Sequence, residues 1–211
     1  MRTITLVFNR ISVNTYLLLS EDGKCAVIDP GCSDSTEENR LAQQLDGLGA
    51  EVTHILLTHA HADHIQGCEW MKKRYPQAIF AAHAGCAKDY GMANAYGSFF
   101  GFPERKYPPI DQALADGDIL TFGKERLHVL YTPGHAEGSV CYYHRESGLL
   151  FSGDTLFCGS VGRTDLPGGS AETLLRSIQT KIACLPDTVT VYPGHGEPTQ
   201  IGMEKRYNPY F

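Results

Sequence analysis

The 211-residue sequence predicts a layered α/β fold in which two β-sheets pack face to face and helices cover their outer surfaces. Short apolar strand patterns precede a helical pattern twice, first near the N-terminus and again after Asp116-Gly-Asp. No Gly/Pro/Ser-rich linker separates the halves, so we expect one domain over residues 1–211. Periodicity alone leaves other layered α/β folds open.

The first half begins with three short strands and a helix. The strands are predicted at Ile4–Phe8, Asn14–Leu19 and Cys25–Asp29. Ser35-Thr-Glu-Glu38 has the pattern of a capping box, which predicts a helix that runs to Leu48 and ends at Gly49. Val52–Leu57 is nearly all apolar, as expected for a strand covered on both faces.

A helix over Asp63–Arg74 and a strand over Ala78–Ala82 follow. Residues 84–109 are rich in Gly, Tyr, Phe and Pro and predict an irregular segment suited to the wall of a pocket. In the second half the predicted elements are a helix at Ala171–Cys184 and strands at Ile119–Phe122, Leu127–Thr132, Val140–His144, Leu149–Ser152 and Thr188–Tyr192.

Bulk properties favour a soluble protein that acts on a small molecule. The net charge of -6 gives no general attraction to nucleic acid or to anionic membranes. We find neither a membrane-spanning apolar run nor a secretory signal, so we expect a cytoplasmic protein. Seven cysteines without a C-x-x-C pair predict reduced core thiols rather than disulfides or a thiolate zinc site.

The stretch Thr58-His59-Ala60-His61-Ala62-Asp63-His64 places three imidazoles and a carboxylate within six residues. Imidazole nitrogen and carboxylate oxygen are ligands that zinc, iron and manganese accept, and the small alanine spacers allow the side chains to converge. His135, Asp154 and His195 each follow a predicted strand and adjoin glycine. These residues predict a metal site at the ends of several strands.

His-x-His-x-Asp-His, followed by Pro-Gly-His, Gly-Asp and Pro-Gly-His, resembles the metallo-β-lactamase superfamily over nearly the whole chain. Gly153-Asp-Thr-Leu-Phe157 and Gly162-Arg-Thr-Asp-Leu-Pro-Gly-Gly169 are most similar to short glyoxalase II-like proteins, the hydroxyacylglutathione hydrolases. The resemblance implies a four-layer αββα sandwich and hydrolysis of thioesters such as S-D-lactoylglutathione, which gives D-lactate and glutathione.

The same resemblance implies two divalent metal ions, with zinc favoured and iron or manganese as alternatives. One ion would be held by His59, His61 and His135 and the other by Asp63, His64 and His195, with Asp154 and a hydroxide between them. Asp63 and Asp154 are then the candidate catalytic residues, and Asp29 and Thr58 are candidate partners of the ligands. Two adjacent cations lower the pKa of the shared water and polarise the carbonyl that is attacked.

Arg163 is the candidate substrate-binding residue, because the resemblance implies a basic side chain that binds a glutathione carboxylate there. The expected partner is therefore a small thioester such as a glutathione conjugate, and not nucleic acid or a membrane. Full-length glyoxalase II proteins carry a helical region after the last histidine ligand. Here only a short tail follows, in which Lys205 and Arg206 are the basic residues.

Rival functions remain open. Persulfide dioxygenases resemble the chain at Gly162-Arg-Thr-Asp165 but use a single iron, which here would be held by His59, His135 and Asp154. β-Lactam hydrolysis is less favoured, since the resemblance there usually implies a cysteine in place of Asp154. A non-catalytic metal-binding protein or a diiron electron-transfer module is disfavoured because all seven ligand positions are filled.

Other chemistry-bearing residues have ordinary structural interpretations. Four histidines lie on strands or strand ends outside any motif, and we exclude them as ligands: His54, His83, His128 and His144. Cys158 is expected to be a small buried side chain without a catalytic role. Five aromatic residues either line the pocket or pack locally: Tyr90, Tyr96, Phe99, Phe100 and Phe102.

Overall fold

The computed structural model describes residues 1–211 and contains two six-stranded sheets and one small hairpin. The first sheet has its strands in chain order: β1 (Arg2–Phe8), β2 (Val13–Leu19), β3 (Lys24–Ile28), β4 (Glu51–Leu56), β5 (Ile79–His83) and β6 (Gln112–Leu114). The first three strands are antiparallel, and β3 to β6 are parallel. The carboxyl ends of the parallel strands therefore meet at one edge of the sheet.

The second sheet has the order β14-β13-β10-β9-β8-β7. Its strands are β7 (Ile119–Phe122), β8 (Glu125–Tyr131), β9 (Val140–His144), β10 (Leu149–Gly153), β13 (Thr190–Pro193) and β14 (Thr199–Gln200). The antiparallel hairpin consists of β11 (Leu156–Phe157) and β12 (Ser160–Val161). All ten predicted strands are present, with ends that differ by at most two residues.

Six helices accompany the sheets: α1 (Ser35–Leu48), α2 (Ala62–Ile65), α3 (Cys68–Arg74), α4 (Cys86–Phe99), α5 (Ala171–Ser177) and α6 (Ile201–Tyr207). A π-helical segment, Ile178–Ile182, directly continues α5. None of the helices combines the length and apolarity needed to cross a membrane.

Three buried clusters fill the spaces between four layers. One lies between the first sheet and α1, α3 and α4, and it contains Leu17 of β2. The next residue, Leu18, belongs to the cluster between the two sheets, because successive side chains of a strand point to opposite faces. The third cluster joins the outer face of the second sheet to α5 and α6. The predicted αββα sandwich is therefore confirmed.

The N-terminus of α1 differs from the predicted capping box by one position. Asp34, not Ser35, is the N-cap, and its carboxylate accepts hydrogen bonds from the backbone N–H groups of Thr36 and Glu37. The carboxylate of Glu37 in turn accepts one from the N–H of Ser33. At the other end Gly49 adopts the left-handed conformation that commonly ends a helix, as predicted.

The helix predicted over Asp63–Arg74 is divided into α2 and α3, which is a correction. Gly67 lies at the break, and its backbone N–H donates to the carbonyl of Pro30 at 2.7 Å. A β-carbon at Gly67 would lie only 2.3 Å from Sγ of Cys32. This close approach separates the ligand-bearing turn, α2, from the core helix α3.

The segment 84–109 was expected to be irregular, but it begins with the fourteen-residue helix α4. The prediction was wrong because the helix presents two apolar faces rather than one stripe. Cys86 and Tyr90 pack in the core, whereas Met92 and Tyr96 line a cavity. A helix covered on both sides lacks the single-faced periodicity that identifies a surface helix.

Candidate metal centre

The predicted ligands lie on loops, and on the short helix α2, at the carboxyl ends of strands from both sheets. His59 and His61 follow β4, and Asp63 and His64 lie on α2. His135 follows β8, Asp154 follows β10 directly, and His195 follows β13. The structure brings all seven residues together, with contacts that divide them into two groups around Asp154.

The first group contains His59, His61 and His135, whose ligand atoms all lie within 4.8 Å of one another. The Nε2 atoms of His59 and His135 are 3.2 Å apart. The ring of His61 meets that of His135 edge-on, with 4.4 Å between their centroids. Three imidazoles that converge in this way match the donor set of a divalent transition metal.

The second group contains Asp63, His64 and His195. Oδ2 of Asp63 lies 3.1 Å from Nε2 of His195 and 3.4 Å from Nε2 of His64. Asp154 lies between the groups: its Oδ2 is 3.5 Å from Nε2 of His135, and its Oδ1 is 3.3 Å from Nε2 of His64. One carboxylate therefore touches ligands of both groups.

Two buried atoms at the centre, Nε2 of His64 and Oδ1 of Asp154, lie 3.3 Å apart, but their geometry makes no hydrogen bond and neither atom has another partner. An unsatisfied buried polar atom costs about 1–3 kcal/mol, so such atoms call for a ligand. Both belong to the predicted metal-binding set. The orphaned atoms and the donor chemistry show that these residues fit metal ions.

The second nitrogen of each of four histidines is held by a neighbour, which aims Nε2 at the centre. Nδ1 of His64 bonds to Oδ2 of Asp29 at 2.9 Å, and Nδ1 of His135 donates to the carbonyl of Arg163 at 2.8 Å. Nδ1 of His195 donates to the carbonyl of Ile11 at 3.1 Å.

The fourth histidine, His59, is held by Thr58, which in turn bonds to Asp29. These two residues are the partners of the ligands that the sequence predicted. Nδ1 of His59 lies 3.1 Å from Oγ1 of Thr58, and that hydroxyl donates to Oδ2 of Asp29 at 2.6 Å. Oδ1 of Asp29 accepts the backbone N–H of Thr58 at 2.8 Å. A single buried carboxylate thus orients ligands on both sides of the motif.

The electrostatics of the centre favour a bound cation. Burial and the nearby His135 lower the pKa of His61 to about 4, so its ring is neutral and free to act as a ligand at neutral pH. Burial opposes the ionised form of Asp154, but the adjacent His64 holds its pKa well below the usual range. Burial also opposes a charge on His64, yet the carboxylates of Asp63, Asp154 and Asp29 raise its pKa. These three carboxylates attract positive charge to one point.

Two glycines are required beside the ligands because the backbone there passes very close to ligand atoms. A β-carbon at Gly194 would lie 2.1 Å from Oδ1 of Asp154 and 2.8 Å from Cε1 of His64. At Gly162 it would lie 1.9 Å from the carbonyl oxygen of Asp154. Only glycine lets these loops pass against the ligands.

A cavity of ≈ 390 Å³ opens onto the centre and is lined by five of the seven predicted ligands. Arg163 is part of its wall, as expected for a substrate-binding residue. Its guanidinium forms a two-pronged ion pair with Asp165, at 2.8 and 2.7 Å, and is half exposed. Arg163 is therefore accessible, and its present partner is a carboxylate.

Of the five aromatic residues considered for the pocket, only Tyr96 and Phe100 line it. Tyr90 stacks against Phe80 and Tyr107 in the core, and Phe99 is 84% exposed. Phe102 is buried outside the cavity.

Two further expectations concern single residue types. Cys158 is exposed in the turn of the β11–β12 hairpin, so the expectation of a buried thiol was wrong; Cys184 is exposed as well. The other five cysteines are buried and all seven are free. His144, excluded as a ligand, pairs with Glu125 at 2.9 Å. His54, His83 and His128 join neither ligand group.

Several residues of the cavity carry no sequence motif and were missed, among them Ile11 on the β1–β2 loop, and Asp89 and Met92 on α4. Phe157, on the hairpin, lies in a quoted motif but was not predicted to line the cavity. Asp89, Met92 and Tyr96 recur at spacings of three and four residues, the signal of one helix face. That signal becomes visible only when α4 is known to be a helix.

The sequence model of the Metallo-beta-lactamase superfamily matches residues 9–195. The chain belongs to this superfamily. The matched range includes every predicted ligand and all strands of the two sheets except β1 and β14, so the superfamily fold and the candidate centre coincide.

Relatives within the superfamily match the chain almost end to end. "Probable metallo-hydrolase YqgX" of Bacillus subtilis is 37% identical over 202 residues, covering 95% of this chain and 92% of the relative. "Hydroxyacylglutathione hydrolase GloC" of Haemophilus influenzae is 34% identical, covering 93% and 92%. These superfamily relatives bear names of hydrolases.

Solved structures of the superfamily agree with the fold. The BLEG-1 B3 metallo-beta-lactamase is 34% identical, with a TM-score of 0.89 over 99% of each chain. TTHA1623, solved in a di-iron-bound form, is 34% identical, with a TM-score of 0.85 over the whole of both chains. ETHE1 from Myxococcus xanthus is 29% identical, with a TM-score of 0.81 over 99% of this chain and 84% of that one.

Proposed function

We propose that this superfamily member is a metal-dependent thioester hydrolase of the hydroxyacylglutathione type, with S-D-lactoylglutathione as its representative substrate. The observation that carries the proposal is the convergence of seven ligand-type side chains at a cavity that also contains Arg163. The similarity to GloC, a named hydroxyacylglutathione hydrolase of nearly the same length, supports it.

In this proposal one divalent ion is held by His59, His61 and His135 and a second by Asp63, His64 and His195, with Asp154 shared. Zinc is the favoured ion, and iron or manganese suits the same donors. When bound, such ions lower the pKa of a water molecule and polarise the substrate carbonyl. The remaining chemistry depends on the chain itself.

In this proposal Asp63 orients the attacking water and takes its proton. Its Oδ2 contacts His195 and His64 and the residue lines the cavity, which leaves Oδ1 for that role. Many of the other lining residues are apolar, among them Met92, Phe157 and Leu166. A thiolate leaves readily, which matches a cavity without a dedicated acid beside the ligands.

Arg163 binds a carboxylate of the thiol portion in this proposal, exchanging its pair with Asp165 for the substrate. Arg163→Met should raise KM for S-D-lactoylglutathione about tenfold with little change in kcat, because a charge-assisted pair is lost far from the reacting carbon. Arg176→Met, which removes an exposed arginine paired with Glu172, is the matched control and should behave as wild type. An unchanged KM in Arg163→Met would remove that residue from the substrate site.

A panel of substrates tests the reaction class. The protein is assayed with S-D-lactoylglutathione, with the β-lactam nitrocefin, and with glutathione persulfide in an oxygen electrode. Thioester hydrolysis without oxygen uptake or nitrocefin turnover is the expected result. Turnover of nitrocefin alone would instead support the activity named for BLEG-1.

The second candidate is persulfide oxidation at a single iron. The three residues it would use are adjacent, with His135 at 3.2 Å from His59 and 3.5 Å from Asp154, and ETHE1 is among the similar structures. Oxygen uptake with glutathione persulfide, together with one iron per chain, would support it over thioester hydrolysis. The four other ligand-type residues at the centre favour hydrolysis.

A further inference from the structure

Asp89 is the one acidic residue of the cavity wall that does not belong to the ligand set. It lies in the first turn of α4, and the helix face that it shares with Met92, Ala93 and Tyr96 forms one side of the cavity. The rest of that face is apolar or aromatic. A carboxyl group in such a stripe is unfavourable for packing, which calls for another explanation.

The carboxyl of Asp89 is buried and lacks a partner. The residue is 9% exposed, and its Oδ2 has no hydrogen-bond donor within reach. The neighbouring lysine, Lys88, is turned away to Glu137, whose two carboxylate oxygens each accept a hydrogen bond from it at 2.8 Å. Burial, reinforced by the charge of Glu137, raises the pKa of Asp89 to about 6. The carboxyl is therefore largely ionised at neutral pH, and no donor is bonded to its Oδ2.

Resting on the proposed function, we propose that Asp89 binds an ammonium group of the substrate, which in an acylglutathione is the free amine of the thiol portion. A bound ammonium would give Oδ2 the donor that the protein does not provide. Asp89 and Arg163 are the only charged lining residues outside the ligand set. Together they select a substrate that carries both an amine and a carboxylate.

The binding test uses S-hexylglutathione, a thioether that cannot be hydrolysed, and its N-acetyl derivative, which lacks the charged amine. Calorimetry on the metal-loaded protein should show about tenfold tighter binding of the free amine. In Asp89→Asn the preference should disappear through weaker binding of the free amine only, while the N-acetyl ligand binds as before. A general packing defect would weaken both ligands alike.

Glu104→Gln is the matched control, because it removes an exposed carboxylate from the loop after α4 outside the cavity wall. It should keep the tenfold preference. Equal binding of both ligands by wild type, or an unchanged preference in Asp89→Asn, would overturn the assignment. Turnover is then measured with two thioesters, S-D-lactoylglutathione and its N-acetyl derivative. Hydrolysis of both with equal KM would overturn only the role of Asp89, whereas amine-selective binding without any turnover would overturn only the proposed hydrolysis.

Discussion

At the scale of single residues, Asp154 connects the two ligand groups, since its two oxygens face His64 on one side and His135 on the other. Asp154→Ala should reduce turnover of S-D-lactoylglutathione at least about 100-fold and lower the metal content, because the shared carboxylate is lost. Circular dichroism should show a retained fold.

Asp187→Ala is the control for this variant, as it removes an exposed aspartate that pairs only with Lys205 at the surface. It should retain full activity and metal content. If Asp154→Ala turned over substrate at the wild-type rate, the shared position of this carboxylate would be refuted.

A second prediction concerns Asp89 and the dependence of the free energy of unfolding on pH. Its pKa is raised from 3.8 to about 6, so between these values the folded protein binds more protons than the unfolded chain, and stability falls as pH rises. Asp89→Asn removes this pH-dependent loss of stability. The free energy of unfolding of the variant, relative to that of wild type, should therefore rise by on the order of 1–2 kcal/mol from pH 4 to pH 7.

Urea unfolding of chelator-treated wild type and Asp89→Asn at the two pH values measures this difference, with Glu104→Gln as control. Because both proteins are metal-free from the start, release of metal at low pH does not contribute to the difference between them. A stability difference that is the same at both pH values would show that the carboxyl is not held in an unfavourable buried state.

The ligands could be predicted from sequence because each lies in a short motif whose residue types are chemically specific. His59 to His64 sit within one turn-forming stretch, and the Pro-Gly-His and Gly-Asp motifs identify the other loops. Asp89 could not be predicted, because nothing distinguishes it from any aspartate in the first turn of a helix. Its carboxyl is unusual only because the folded chain buries it in a cavity wall without a hydrogen-bond donor.

At the scale of elements, some strands could likewise be predicted from the sequence, whereas some helices and one hairpin could not. Strands with a clear burial pattern, such as β4 and β9, were predicted to within a residue or two. The two-faced helix α4 was not, because its apolar residues serve both the core and the cavity. The hairpin β11–β12 and α6 were missed because each is stabilised by contacts distant in sequence.

Glu204 of α6 provides those contacts. It is 3% exposed, and its Oε2 accepts hydrogen bonds from the N–H of Gly159 at 2.9 Å and from Nδ2 of Asn208 at 2.7 Å. Gly159 is in the hairpin turn, and Phe157 of the same hairpin meets the ring of His195 edge-on. The C-terminal helix thus positions one wall of the cavity.

Glu204→Ala should lower the free energy of unfolding by about 1–3 kcal/mol, because buried donors lose their acceptor, and it should raise KM as the hairpin loosens. Glu172→Ala, in which an exposed partner of Arg176 is lost, should change stability by less than about 0.5 kcal/mol. Urea unfolding and steady-state kinetics check both. Equal stabilities of the two variants would contradict a role for Glu204 in holding the hairpin.

At the scale of the whole molecule, the candidate centre joins the two halves of the sandwich. His59 to His64 belong to the first sheet and its connections, whereas His135, Asp154 and His195 extend from the second. The isolated bridge between Val13 and His195 links the halves at the same edge. Bound metal should therefore stabilise the packing of one sheet on the other as well as supply reactivity.

Metal titration of the chelator-treated protein tests the central claim most directly. Zinc is added in steps while hydrolysis of S-D-lactoylglutathione and bound metal per chain are measured in the same samples. Activity should be absent without metal and should reach its maximum as two ions bind per chain. Hydrolysis that persists in the fully metal-free protein, or a metal-loaded protein that leaves the thioester intact, would contradict the account.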